Sequence, residues 1–157
     1  MSLVRLTMTE KTAKIKKESA SDWSDAEKAA MKERSKELKA EKAAKGKADD
    51  EQALLEKIAE MPTSDQVMAD RLHQMIKNEF PVLYPKTWYG MPAYQYEGKT
   101  LVFFQSGHRF GSRYSTLGFS DTAKLDEGLF WPTSYALVEM DATIEAKIRE
   151  LISKAIG

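Results

Sequence analysis

The stretch Lys86-Thr87-Trp88-Tyr89-Gly90-Met91-Pro92-Ala93-Tyr94 decides how the rest of the chain is read. Its aromatics and threonine suit a pleated, half-buried surface, while Gly90 and Pro92 interrupt that surface. The pattern predicts one strand over residues 87–91, continued or bent at Pro92 into residues 93–96. Glu97-Gly98-Lys99 then reads as a tight turn, with Gly98 supplying the positive φ. Residues 100–105 return antiparallel with Leu101-Val102-Phe103-Phe104-Gln105. Further out, residues 112–119 alternate, residues 120–125 suggest a one- or two-turn helix, and residues 134–138 form a last strand.

Helical periodicity flanks this β region on both sides. Leu54, Leu55, Ile58 and Met61 share one face of a short helix that Asp49 or Asp50 would cap and Pro62 would end. Thr63-Ser64-Asp65-Gln66 has the form of a capping box opening a second helix, with Met68, Leu72, Met75 and Ile76 on its apolar face. After the strands, Asp141 caps a closing helix whose stripe is Ile144, Ile148, Leu151, Ile152 and Ala155. Helices, then meandering strands, then a helix predict an α+β fold: a two-layer sandwich with a curved antiparallel sheet of about five strands and helices on one face.

Composition divides the chain of 157 residues. Its first 48 residues are rich in lysine and acid and hold one aromatic, Trp23, so the core must lie in residues 49–157. The arm, residues 1–48, opens without a sustained period and is expected to lack fixed structure there. Ser24-Asp25-Ala26-Glu27 is a capping box, and a charged helix is expected to run to about residue 45 with Gly46 as its stop. That helix has rows of lysine and glutamate instead of an apolar stripe. It is either a solvated face or an arm that docks a protein partner or a second copy of the chain.

The net charge of zero gives no general attraction to nucleic acid or to anionic membranes. The absence of cysteine excludes disulfides, thiol catalysis and thiolate-ligated metals. Residues 1–20 lack the apolar core of a signal peptide, and no apolar run approaches the roughly 20 residues of a membrane span. A cytoplasmic protein without a membrane segment is expected.

The run Tyr89-Gly90-Met91-Pro92-Ala93-Tyr94, the Glu97-Gly98-Lys99 turn and the strand Leu101-Val102-Phe103-Phe104 make the region from Asp49 to Ile156 resemble the YdhG-like proteins. That family of domains of unknown function is grouped with bacterial frataxin-like proteins. The resemblance implies a compact sandwich with a curved antiparallel sheet, and iron handling of the frataxin sort. Frataxin-type proteins hold iron diffusely through exposed acids, so no fixed metal residue carries over. Asp49, Asp50, Glu51, Glu56 and Glu60 form an acidic cluster compatible with a hard cation, and equally with an ordinary helix N-terminus on a solvated face.

No nucleophile–base pair, nucleophile elbow or phosphate loop occurs. The sequence therefore points to binding without catalysis. Aromatics fall on both faces of the predicted sheet, so one set belongs to the core and the other is free to line a groove. Trp88, Met91, Phe104, Gln105 and Trp131 are assigned to the open face. His108, Arg109 and Arg113, in a loop bracketed by Gly107 and Gly111, are the candidate anchors for a polar or anionic ligand. The expected cargo is a small molecule or iron, with no resident cofactor.

Overall fold

The computed structural model describes residues 23–42 and 46–157, so the opening of the arm and the end of its predicted helix lie outside the described residues. In chain order come α1 (Asp25–Lys42), α2 (Lys47–Ala59), α3 (Thr63–Glu79), β1 (Tyr84–Trp88), β2 (Met91–Tyr96), β3 (Lys99–Gln105), β4 (Ser115–Phe119), β5 (Ser134–Leu137) and α4 (Ala142–Ile156). The five strands form one antiparallel meander in the order β1-β2-β3-β4-β5. It does not close into a barrel, and the helices pack on one side of it. The α+β class and its layering are therefore as the hydrophobic pattern predicts.

The opening stretch is organised differently from its sequence reading. Residues 87–91 are not one strand. The chain reverses at Tyr89 and Gly90, whose φ values are 52° and 74°, and Trp88 pairs directly with Met91. Two consecutive positive φ values make this a two-residue hairpin of the type that matches strand twist. Trp88 and Met91 are thus cross-strand partners, and Pro92 sits inside β2 opposite Thr87. Glu97 and Gly98, with φ of 52° and 82°, repeat the device between Tyr96 and Lys99.

Strand alternation then sorts the side chains. Tyr94, Val102, Phe104, Leu117 and Leu137 are buried in the core. Leu54 and Ile58 of α2, Leu72 and Ile76 of α3, and Ile148 and Ile152 of α4 pack into the same cluster. Each such side chain contributes about 1.5–3 kcal/mol through lost apolar exposure. Phe103 lies on the uncovered face, where its ring covers Gly118 and meets Trp88 at 5.2 Å between centroids. Arg149 of α4 bonds Glu79 of α3 at 2.8 Å, and Arg71 of α3 reaches Glu145 of α4 at 2.7 Å.

Two helix ends and one short helix differ from expectation. Gly46 precedes α2 as its N-cap without a side-chain bond, so neither Asp49 nor Asp50 caps it. Pro62 holds the same position before α3, so Thr63 is the first helical residue and not the cap that the predicted box requires. Residues 120–125 form a turn closed by the Ala123 amide to the Ser120 carbonyl, not a helix. The caps on α1 and α4 are as predicted, with Ser24 Oγ accepting from the Glu27 amide and Asp141 Oδ1 from the Ile144 amide.

Candidate functional site

The Tyr89–Gly90 turn is held from two directions. A positive φ at tyrosine costs about 1–2 kcal/mol, so the conformation needs outside support. Glu37 of α1 supplies it, its carboxylate accepting the Tyr89 and Gly90 amides at 2.8 Å each. Such adjacent amides form a small anion-binding concavity. Glu37 and Ala30 are the buried residues among the described side chains of α1. The charged arm thus docks by a carboxylate on backbone amides rather than by an apolar stripe. Arg34 adds to the contact by lying over the Tyr89 ring, and Glu33 reaches Lys57 of α2 at 3.3 Å.

On the other side of the turn, Arg109 donates from Nη1 to the Tyr89 carbonyl at 3.1 Å. Its guanidinium lies so close to Gly90 that a Cβ there would sit 2.5 Å from Nη1. Only glycine permits this approach.

A second polar centre positions the loop that carries Arg109. Asp65 is buried, and it accepts from Ser106 Oγ at 2.6 Å, Ser115 Oγ at 3.1 Å and the His108 amide at 3.4 Å. Ser115 Oγ in turn accepts from the Gly107 amide at 3.0 Å. Gly107 has no room for a side chain, since a Cβ would meet the Tyr114 carbonyl oxygen at 2.4 Å. The end of β3 and the following loop are thereby tied to the first turn of α3.

Between these two centres lies a cavity of about 340 Å³. Met61, Pro62, Met91, Pro92 and Phe104 give it apolar walls. Its polar groups are Glu33, Lys57, Glu60, Ser106, His108 and Arg109. Lys57 is occupied by Glu33 and Glu60. Among the described residues, the Arg109 guanidinium is met by the Tyr89 carbonyl and the Phe110 ring and by no carboxylate. Apolar walls with a few convergent polar groups are the usual make-up of a small-ligand site.

Of the eight residues assigned to a site from sequence, the cavity gathers Met91, Phe104, His108 and Arg109. The other four lie elsewhere. Trp88 packs edge-on to Tyr89 and against Phe103. Gln105 alternates with Phe104, so it faces away from the helices. Arg113 lies over the Tyr114 ring, and Trp131 is half-buried against the core. Phe104 needs correction as an open-face residue, because it is fully buried beneath the helices and reaches the cavity from the core side.

Of the five acids considered for iron, Asp49, Asp50 and Glu56 line one hollow beside β1, and three of the five have partners of their own. Asp50 accepts from the Tyr84 hydroxyl, Glu51 from Lys77 and His73, and Glu60 from Lys57. Among the described residues, no group of three or more histidines or acids is placed to hold a metal ion.

Glu51 belongs to a buried chain of polar contacts away from the cavity. His73, 2% exposed, meets the Tyr94 hydroxyl through Nδ1 at 2.9 Å and Glu51 through Nε2 at 3.0 Å. The hydrogen bond from Lys77, then that from His73, holds the Glu51 carboxyl below the usual carboxylate range. An ionised Glu51 only accepts, so Nε2 carries the proton, and in the neutral ring Nδ1 accepts from Tyr94. Burial, with Glu51 and then Asp70 nearby, pushes the Tyr94 hydroxyl well above the ordinary phenol range. This chain locks α2, α3 and β2 together.

Sequence reasoning did not assign the lining residues Lys57, Met61, Pro62 and Ser106 to the site, nor Glu37 and Asp65, which hold its turn and loop in place. Comparison with known protein families, with curated proteins and with solved structures finds no match for this chain.

Proposed function

We propose that the chain is a non-enzymatic binding protein of the YdhG-like kind, and that its cargo is an amphiphilic organic anion held beside the Tyr89–Gly90 turn. The reading rests on one observation: a cavity of about 340 Å³ with apolar walls, lined also by an arginine with no carboxylate partner among the described residues. A planar guanidinium offers several donors in a fixed fork, and Arg109 uses Nη1 on a carbonyl. A carboxylate would take its remaining donors and the His108 side chain, while the body of the ligand lies against Met61, Met91 and Phe104. The volume suits a small aromatic or short-chain acid, being near the lower end of the usual range for ligand sites.

A small-molecule cargo also agrees better with the contacts of the acids than iron does, since Asp50, Glu51 and Glu60 already serve as partners to Tyr84, His73 and Lys57. The test is a titration of the full chain with phenylacetate and hexanoate, followed by amide chemical shifts. Saturable shifts at residues 90–92 and 106–109, lost in Arg109→Gln, are expected. Shifts of equal size in the variant, or none at millimolar ligand, would reject the reading.

A further inference from the structure

We propose that β5 is an interface at which the chain pairs with a second copy of itself, joining two sheets edge to edge about a two-fold axis. The sheet has two edge strands, and they are treated differently. β1 carries Pro85 and Lys86 and has α2 packed along it. Proline, lysine and a covering helix are the usual means of keeping a strand edge from pairing.

β5, Ser134-Tyr135-Ala136-Leu137, has none of these, and it contains no charge, proline or bulge. Among the described residues its backbone bonds only to β4. The surface beside it is apolar. Leu129 and Phe130 stand fully in solvent at 102% and 95% exposure, and Val138 at 77%. Leu129 and Phe130 precede the strand and Val138 follows it, so both ends of β5 carry exposed apolar side chains, and exposed apolar surface of this kind marks interaction sites.

Self-pairing fits this edge better than a membrane does. Asp126, Glu127 and Glu139 flank the patch and would be repelled by an anionic lipid surface. A two-fold axis needs only that one patch complement itself. Antiparallel pairing centred on Ala136 sets Val138 of one copy across from Ser134 of the other, and Glu139 across from Thr133. No like charges then face one another. Covering Leu129, Phe130, Val138 and the strand edge removes apolar surface from water on both copies, about 150–250 Å² for each Phe130 ring. Specific interfaces begin at roughly 1,200 Å² in total, so a stable dimer has to cover Leu129, Val138 and the strand edge along with Phe130.

Sedimentation velocity of the full chain over a dilution series tests the proposal. A micromolar dimer is expected, with the Ala136 amide exchanging more slowly as concentration rises. Phe130→Asp should weaken the dimer by about thirtyfold, the loss expected when a hot-spot aromatic is replaced. Val138→Lys should act in the same direction, with the circular dichroism spectrum unchanged in both. Four outcomes would overturn the proposal. The first is a monomer at every concentration, and the second a dimer indifferent to both substitutions. The third is an Ala136 amide protected equally at all dilutions, which would assign the edge to the chain's own first 22 residues. The last is a monomer that floats with neutral phosphatidylcholine vesicles, which would assign the tip to lipid.

Discussion

Gly90 joins three parts of the molecule at one backbone position. It completes the hairpin with a positive φ, gives its amide to Glu37 and lets Arg109 lie against it. Gly90→Ala should therefore cost about 1–2 kcal/mol from backbone conformation alone, and should also displace the guanidinium. Thermal unfolding and the Arg109 Nε–H resonance would report both effects, and an unmoved resonance would contradict the described packing. Glu51 gives a prediction with a sign. Its folded pKa is depressed, so its contribution is present above the ordinary carboxylate value and is lost as pH falls through the folded one. Glu51→Gln should lower the urea midpoint at pH 7, and the gap to wild type should close in the acid range below about pH 4. A gap that persists unchanged at pH 3 would show that ionisation is not what Glu51 contributes. These partnerships were not legible in the sequence. His73 reads as one polar residue beside an apolar stripe, and nothing local reveals that Glu51 and Tyr94, each more than twenty positions away, converge on its two nitrogens.

Among the elements, helices were legible where a stripe of large apolar residues recurs, as in α4, and where a serine or aspartate caps them. Two readings failed because a local signal was outweighed by partners distant in sequence. Asp65 reads as one acid inside a Thr63–Gln66 capping box, but three donors from the β3–β4 region draw it inward. Tyr89 is an unusual first residue for this type of hairpin, where asparagine or aspartate is the common signal, so the turn was hidden inside an apparent strand. Glu37 accounts for the exception, because it satisfies both turn amides from another helix. Asp65→Ala leaves two hydroxyls and one amide without an acceptor and should cost about 2–4 kcal/mol. Because the loop of residues 106–115 depends on it, hydrogen exchange there should quicken, although Asp65 does not line the cavity. Unchanged exchange in that loop would show that Asp65 does not hold it.

For the whole molecule, the α+β class and the antiparallel sheet under helices followed from the order of periods along the chain, while the first hairpin, and with it β1 as a separate strand, did not. The arm was not legible in the same way. Its helix was foreseen, but its place was not, because a carboxylate on two amides leaves no hydrophobic trace in a sequence. Among the described residues, no helix is long and apolar enough to cross a membrane. The site depends on assembly at this scale: α1, the end of α2, the hairpin and the β3–β4 loop each contribute one wall. The most direct test of an anion cavity compares phenylacetate with phenylacetamide on the full chain by calorimetry. The two ligands match in shape and differ in charge. If Arg109 and His108 receive a carboxylate, the acid should bind at least about tenfold more tightly, as a charge-assisted hydrogen bond implies, and Arg109→Gln should abolish the difference. Equal affinity for the two, or a preference that survives in the variant, would contradict the account.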